Sequence, residues 1–528
     1  MTYRDDETAL ETVSQAAGEV AVADDVDSVN AGKGAAALVI AKLYFLLSGW
    51  IIYFTLPRIL DARQWGDYLL VVGLTSVINN VMVGGTIQSI SRFTAQSEAT
   101  AAQVRWAGMR MHSMLGTSAA VLFVGVGAAL SLWWSDLGLV PLFFLMGAMV
   151  VFYSFYAVFV GSANGQRAFV KQAGLDMSYA TLKILFVLGG AYLLSSWGGR
   201  TGVGGALGGL VTAAAVIMAV SVAVVGRPSR AEPKISVRPL IRFTLALFLY
   251  VLVLNLLMRS DLFLIKKFGA SLAGAGQDAA AYASTLAAKY GTAQVFAFII
   301  YQVLMSVAFV VFPLVSKSTF ENDHETTRGY VRQTMRAGLM VSAGVAAVLS
   351  SMPEAIISVI YPPQYRIGGI SLQFLAWGVA GMSMTVIGCA VLNGAGKTKH
   401  AVAATGLTLV LAIVGNIIVL SRARTEEQIL VRAALTTTTA MLIGFGATGG
   451  LLWHHFRAFI RPVTIVRVVI AAAATWTLGH ELPEFGRVAT VGLSGGLLVV
   501  YGVILIVLRE LGPDDRKLLT GLLKRRSS

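Results

Sequence analysis

The sequence predicts an all-α polytopic membrane protein of about 14 transmembrane helices, with two six-helix lobes around a central cationic cavity and two further C-terminal helices. Its composition is the first observation: 56% of the 528 residues are hydrophobic and 13% are charged, about half the charged fraction of a soluble domain. The second is a mean hydropathy of +0.73, which comes from long apolar runs. The third is that lysines and arginines gather between those runs.

The apolar runs have the length of about 20 residues that a helix needs to cross a bilayer core. We place the predicted spans at about residues 36–58, 68–91, 111–134, 139–163, 170–195, 203–226, 241–265, 284–314, 334–352, 367–392, 401–421, 429–452, 463–480 and 488–508. With the N-terminus inside, the predicted cytoplasmic segments hold 27 lysines and arginines and the external segments hold ten. This asymmetry predicts that both termini are cytoplasmic.

The loops and tails divide the chain further. The first 34 residues carry eight acids against Arg4 and Lys33, and they lack the basic start of a signal peptide. The longest basic, proline-containing connection runs from Arg227 to Arg238. The predicted organisation is a disordered acidic cytoplasmic tail (1–34), an N-lobe of spans one to six (35–226), a basic cytoplasmic linker (227–240), a C-lobe of spans seven to twelve (241–452), spans thirteen and fourteen (453–510) and a basic cytoplasmic tail (511–528).

Composition and motifs exclude several classes of function. The net charge of +14 is carried by short loops between spans, which predicts contact with anionic lipid headgroups and no nucleic-acid partner. Cys389 is the single cysteine, so an internal disulfide or a cysteine-based metal site is excluded. The chain has no P-loop, its histidines lack metal-ligand spacing, and no loop is long enough for a catalytic domain. We therefore expect a transporter without a metal or cofactor, and not an enzyme.

An ionisable residue in the interior of a predicted span costs about 2.5–3.5 kcal/mol to insert and is a functional candidate. The candidate substrate-binding cations are Lys42, Lys183, Arg259 and Lys289, and the two acids are Asp176 and Asp261. The excess of cations predicts a water-filled cavity that attracts an anionic substrate. Two alternatives stay open: Arg259 and Lys289 reach the outer interface, or Asp176 and Lys183, which lie on one face of a helix about 10 Å apart, form a structural bridge.

Uncharged polar residues in the spans offer a second, weaker set of candidates. Asn79, Asn80, Gln88 and Asn255 either line the same cavity or tie helices together by hydrogen bonds. The glycines of the segment 202–209 permit close helix contact. Because no strand precedes that segment, a dinucleotide-binding loop is excluded.

Five short motifs, in this order along the chain, resemble those of one transporter family. They are Leu56-Pro-Arg-Ile-Leu-Asp-Ala-Arg-Gln-Trp-Gly-Asp-Tyr68, Asp261-Leu-Phe-Leu-Ile-Lys-Lys-Phe268, Val311-Phe-Pro-Leu-Val-Ser316, Ile360-Tyr-Pro-Pro-Gln-Tyr365 and Leu392-Asn-Gly-Ala-Gly-Lys397. With fourteen predicted spans, they resemble the polysaccharide-transporter branch (O-antigen and exopolysaccharide flippases) of the multidrug/oligosaccharidyl-lipid/polysaccharide exporter superfamily. Pro363 stands where the family usually has glycine.

The resemblance implies a flippase of the bacterial inner membrane that moves a polyprenyl-diphosphate-linked oligosaccharide to the outer leaflet by alternating access. It also implies coupling to a proton or sodium gradient, with Asp176 or Asp261 as the candidate carboxylate, and a polysaccharide polymerase and chain-length proteins as partners. A peptidoglycan-precursor flippase and an ion-coupled drug exporter on the same fold remain alternatives. The excess of intramembrane cations disfavours the exporter, because such proteins hold cationic substrates with acids.

Overall fold

A computed structural model describes residues 25–321, 323–483 and 485–512, and within them the chain is α-helical and has no β-strand. The predicted all-α class is confirmed. The helices are α1 (Asp25–Ile59), α2 (Ala62–Gln96), α3 (Ala101–Trp133), α4 (Val140–Gly165), α5 (Phe169–Ser195), α6 (Thr201–Val225), α7 (Val237–Leu257), α8 (Ser260–Gly269), α9 (Ala279–Phe320), α10 (His324–Ser351), α11 (Pro353–Ile360), α12 (Gly369–Gly394), α13 (Thr398–Leu420), α14 (Glu426–Phe456), α15 (Pro462–His480) and α16 (Arg487–Val507).

Several helices begin at residues that satisfy their free backbone N–H groups. The Asp61 carboxylate accepts from the backbone N–H of Gln64 at 2.8 Å before α2. The Thr425 hydroxyl accepts from the N–H of Gln428 at 3.2 Å before α14. Pro462 occupies the first turn of α15, where the missing N–H costs nothing. Local chemistry therefore sets where these helices start.

Twelve helices in the described residues are long and apolar enough to cross a membrane, or thirteen if one bent pair counts as a single span. The prediction of one continuous span at 241–265 is wrong: Phe248–Leu257 and Ser260–Leu272 meet at 42°. The break comes just before Asp261, whose carboxylate accepts from the N–H of Leu262 at the new helix start. The remaining predicted span, 284–314, lies inside α9, where some side chains are outside the described set.

The contacts divide the chain into two compact units. The first consists of residues up to Arg259 together with Ala273–Ala288, and the second of Ser260–Leu272 and the residues from Lys289 onward. The predicted lobe bounds, at 35–226 and 241–452, remain a prediction. Most of the predicted acidic tail (1–24) and basic tail (513–528) lies outside the described residues, and α1 begins at Asp25.

In the first unit, α1 packs on α5, α5 on α6, and α4 on α2, α3 and α6. Gly205 and Gly209 bring α6 against the backbone of α5, because a Cβ at either position would overlap Gly190 or Phe186. The predicted close contact at 202–209 is confirmed. In bilayers such close approach supplies the packing energy that the hydrophobic effect supplies in water.

In the second unit, α12 packs against α10, α13 and α14, and α15 packs against α10 and α16. The short helix α8 packs against α13 and α14. Ala347, Val468, Ala471 and Tyr501 belong to one buried cluster that joins α10, α15 and α16. The last two helices are thus integrated into the core of this unit.

Candidate functional site

Lys42 and Asp176 form an ion pair in the first unit. The Lys42 ammonium donates to the Asp176 carboxylate at 2.8 Å, from α1 to α5. The Asp176 side chain is 9% exposed, whereas that of Lys42 is 63% exposed. Because α1 packs along α5, the Asp176 carboxylate is buried between protein side chains, whereas the Lys42 ammonium remains exposed on the surface of the unit. The carboxylate that pairs with Lys42 therefore comes from the neighbouring helix.

Aromatic side chains surround this pair. The rings of Tyr153 and Tyr179 lie 4.9 Å apart, and those of Phe45 and Tyr179 lie 6.1 Å apart. The Tyr156 ring is 5.4 Å from that of Tyr153, and its buried hydroxyl lies beside the Asp176 carboxylate. Aromatic faces beside charged groups are suited to a polar ligand with apolar faces, such as a sugar ring.

Lys183 joins the same group through Phe45. Its ammonium lies 4.3 Å from the centre of the Phe45 ring, and it has no carboxylate partner among the described residues. The alternative of a structural Asp176–Lys183 bridge is therefore wrong, because Asp176 pairs with Lys42 on the adjacent helix. We name Lys42, Phe45, Asp176, Tyr179 and Lys183 the α1–α5 cluster; it carries a net charge of +1.

The predicted amide residues lie on α2 and α7 of the same unit. Asn80 donates to the Asn255 side-chain oxygen at 2.7 Å, and Asn255 donates to the Val251 carbonyl at 2.8 Å. This contact joins the two helices, which is one of the two roles that the sequence predicted for these amides. The Asn79 side-chain oxygen is buried without a hydrogen-bond partner in the described region, and Gln88 is exposed.

The candidate cations Arg259 and Lys289 are not members of the α1–α5 cluster. Arg259 is half-buried at the break between α7 and α8. Lys289, in the second unit, pairs with Glu426 at 2.5 Å and joins α9 to the start of α14. A carboxylate therefore compensates the charge of Lys289, and its role in binding substrate stays a prediction.

Asp261 lies in a buried polar cluster of the second unit and is 1% exposed. Its carboxylate accepts from the Tyr290 hydroxyl at 2.6 Å and from the Gln294 amide at 2.8 Å. On the helices against which α8 packs, Asn416 donates to the Thr437 hydroxyl at 3.0 Å. The side-chain oxygens of Gln294 and Asn416 are buried without partners among the described residues.

This donor set limits the kind of ion that fits. The described residues contain no group of three His, Cys, Asp or Glu that could hold a metal ion. One carboxylate with neutral oxygens suits a proton or a hard monovalent cation, which needs little charge compensation. Zinc or copper would favour nitrogen or sulfur ligands.

Sequence reasoning missed an ionic cluster in the first unit. The Arg200 guanidinium donates to Asp67 at 2.7 Å and to Asp136 at 2.6 Å, and the Ser284 hydroxyl donates to Asp67 at 2.6 Å. Burial lowers the pKa of Arg200, but the hydrogen bonds and charges of Asp136 and Asp67 outweigh it and raise the pKa above its usual value. Asp67 stands at the start of a predicted span, in the Gly66-Asp67-Tyr68 motif, and nothing in the sequence indicates that it is buried.

The fold is similar to that of solved transporters, two of which are described as members of the MOP superfamily. A protein-family model described as MatE matches residues 281–418. The chain is 12% identical to a structure titled "Lipid II flippase MurJ, inward closed conformation", with a TM-score of 0.69 over 90% of this chain and 99% of that one. No curated protein matches the chain significantly.

Two other solved structures extend the likeness. An inward-facing multidrug resistance MATE family transporter of the MOP superfamily is 14% identical, with a TM-score of 0.57 over 76% of this chain and 94% of that one. A MOP superfamily transporter from Pyrococcus furiosus, whose title reports a binding pocket of reverse polarity, is 15% identical, with a TM-score of 0.55 over 80% of this chain and 93% of that one. At these identities the likeness defines the fold and leaves the substrate open.

Proposed function

We propose that this protein is a flippase that translocates a polyprenyl-diphosphate-linked oligosaccharide from the cytoplasmic to the outer leaflet by alternating access, for surface polysaccharide assembly. The observation that carries the proposal is the α1–α5 cluster. Lys183 has no carboxylate partner among the described residues, the Lys42 ammonium is exposed, and tyrosine rings lie beside them. A diphosphate gains about 4 kcal/mol from each cation at contact distance under an effective dielectric of 20.

The second unit has an apolar cavity of its own that is suited to a hydrocarbon chain. It has a volume of about 480 Å³ and lies among α10, α12, α14 and α15. Its walls include Leu339, Trp377, Phe445, Val469 and Trp476. A hydrocarbon chain can bury apolar surface there at about 25 cal/mol per Å². A soluble cationic drug would gain no charge compensation from such walls.

A gradient of protons or sodium ions drives the cycle in this proposal, and Asp261 and Asp176 are the candidate coupling carboxylates. Asp261 is buried, and its partner Gln294 has a side-chain oxygen without a hydrogen-bond partner among the described residues. Binding a cation there costs less desolvation than at a bare carboxylate, because neutral oxygens replace the lost water. Asp176 exchanges its partner if a diphosphate draws the Lys42 ammonium away.

A peptidoglycan-precursor flippase is the second candidate, and the structural likeness to a lipid II flippase over 99% of that chain favours it. Both substrates carry a diphosphate, so the α1–α5 cluster suits either. A drug exporter on the same fold is the third candidate. The pairing of Asp176 with Lys42 leaves no free acid in this cluster for a cationic drug.

A flipping assay in liposomes tests the proposal. Wild-type protein is reconstituted with a fluorescent polyprenyl-diphosphate oligosaccharide, with lipid II, or with a cationic dye. We expect the oligosaccharide to be flipped, and we expect Lys42→Ala and Lys183→Ala each to slow flipping about tenfold, the loss of 1.4 kcal/mol or more. Lys171→Ala, an exposed lysine on α5, is the matched control and leaves the rate unchanged. Transport of lipid II or the dye alone overturns the proposal.

A further inference from the structure

A basic pocket opens in the second unit where three helices end, at the start of α10, the start of α15 and the end of α16. Its volume is about 620 Å³. Five arginines line it, against one acid, Glu510; they are Arg332, Arg336, Arg461, Arg467 and Arg509. The described residues that line the pocket therefore carry a net charge of +4 around a volume of about 620 Å³.

The floor of the pocket is a compensated network. Glu510 is 4% exposed and accepts from Arg336 at 2.7 Å, from Thr464 at 2.8 Å and from Arg467 at 3.1 Å. Glu510 reaches this position because the chain reverses after α16. Arg509 adopts a left-handed φ of 58°, and the N–H of Glu510 donates to the Leu505 carbonyl at 2.9 Å, as in a Schellman motif.

At the rim of the pocket, three arginines have no carboxylate partner in the described part of the chain. Arg332, Arg461 and Arg509 are exposed, and the described residues supply no carboxylate to any of them. Like charges that converge on one space repel one another unless an anion lies between them. Guanidinium groups present paired N–H donors that match the oxygens of a phosphate group.

The surroundings indicate that the phosphate belongs to a lipid. Val463 lines the pocket and is 58% exposed, and Val466 and Val469 continue the exposed aliphatic face along α15. Val503 and Val507 present a similar face on α16. A headgroup bound among the arginines would therefore have apolar helix surface beside it for its acyl chains. Basic pockets at the cytoplasmic ends of transmembrane helices are suited to anionic headgroups.

We propose that this pocket, which belongs to the second unit and does not depend on the transported substrate, binds the phosphate headgroup of an anionic phospholipid of the surrounding bilayer. Arg332, Arg461 and Arg509 hold the phosphate oxygens. Arg336, Arg467 and Glu510 fix the floor.

Thermal unfolding of the purified full-length chain in detergent, titrated with phosphatidylglycerol, tests this inference. We expect phosphatidylglycerol to raise the melting temperature saturably and phosphatidylcholine to leave it unchanged. In the triple variant Arg332→Gln, Arg461→Gln, Arg509→Gln, the apparent dissociation constant should rise at least about tenfold. The matched control Arg422→Gln, Arg424→Gln, Arg487→Gln removes the same charge from exposed arginines elsewhere in the unit and should change it less than about twofold.

Other outcomes overturn the inference. Equal weakening in both triple variants means that the lipid responds to overall charge and not to this pocket. Saturable stabilisation by inorganic phosphate at the same concentrations assigns the site to a free anion, and stabilisation by polyprenyl diphosphate alone assigns it to the transported lipid. If the triple variant unfolds, Arg461→Gln alone is used for the titration, because the Arg461 side chain makes no capping hydrogen bond and its loss should leave α15 folded. An unchanged phosphatidylglycerol affinity in that variant counts against the pocket.

Discussion

The Asp176 carboxylate accepts a hydrogen bond from the Lys42 ammonium at 2.8 Å, and these two residues are 134 positions apart in the chain. The pair fastens α1 to α5 beside Tyr179 and Lys183. Its two members differ in exposure, with a buried acid and an accessible base. An anionic ligand can therefore compete for the base, and the acid then requires a new partner.

Removing Lys42 should destabilise the fold through the acid that remains. In Lys42→Met, Asp176 stays buried without its partner, and we expect a loss of about 1–3 kcal/mol in unfolding free energy. The double variant Lys42→Met, Asp176→Asn should recover most of that stability but not flipping. Thermal unfolding and the liposome assay measure the two effects, with Lys171→Met as control. Full stability in Lys42→Met would contradict the structural role of the pair.

Gly66 should be the least replaceable glycine of α2. A Cβ at this position would overlap the Ser284 carbonyl, whereas a Cβ at Gly84 in the same helix meets nothing within 4 Å. We expect Gly66→Ala to cost about 2 kcal/mol or more through the forced shift, and Gly84→Ala to be neutral or to stabilise by up to about 1 kcal/mol. Equal melting temperatures for the two variants would argue against this close contact.

Glu510 should make stability depend on pH. Burial raises its pKa, but hydrogen bonds from Arg336, Thr464 and Arg467 outweigh burial and hold the pKa below its ordinary value. The contribution is therefore complete above the unfolded pKa of about 4.3 and is lost as the pH falls through the lower folded pKa.

The variant Glu510→Gln isolates this effect. At pH 7 it should lose about 1.5–3 kcal/mol, because hydrogen bonds to a charged group are replaced by weaker ones. Between pH 6 and pH 3 the wild type should lose more stability than the variant, so that the two unfolding curves converge. Parallel curves over that range would mean that Glu510 is not the titrating group.

Asp261 should control ion coupling without controlling substrate binding. In Asp261→Asn the amide keeps the shape of the side chain and removes the charge that attracts a proton or cation. We expect gradient-driven flipping to fall at least about tenfold, or 1.4 kcal/mol in barrier height, with substrate affinity unchanged. Glu427→Gln, an exposed acid at the start of α14, is the control. An equal response to the gradient in wild type and Asp261→Asn would exclude Asp261 as the coupling group.

The helices themselves could be predicted because apolar runs of membrane-spanning length leave few alternatives. The contacts between the helices could not be predicted from the sequence. The i, i+7 spacing of Asp176 and Lys183 correctly predicts that they share one face of a helix. Which helix packs on that face depends on the fold, and the packing of α1 pairs Asp176 with Lys42. The break before Asp261 could not be predicted either, because a bent span has the same hydropathy as a straight one.

The ionic cluster at Arg200 shows a second limit of sequence reasoning. Asp67, Asp136 and Arg200 lie at helix ends, where charged residues are ordinary and carry no signal of burial. Only the fold brings Arg200 within 2.7 Å of one acid and 2.6 Å of the other. Charges inside spans are identified easily because they are costly, whereas buried charges at span ends are not.

The central claim is that the cations of the α1–α5 cluster recognise a diphosphate, and the most direct measurement compares two lipids that differ by one phosphate. Flipping rates are measured in liposomes for the same oligosaccharide linked to a polyprenyl diphosphate or a polyprenyl monophosphate. We predict that wild type prefers the diphosphate by at least about tenfold and that Lys183→Ala reduces this preference severalfold. Equal rates for both lipids in wild type, or a preference untouched in Lys183→Ala, would contradict the account.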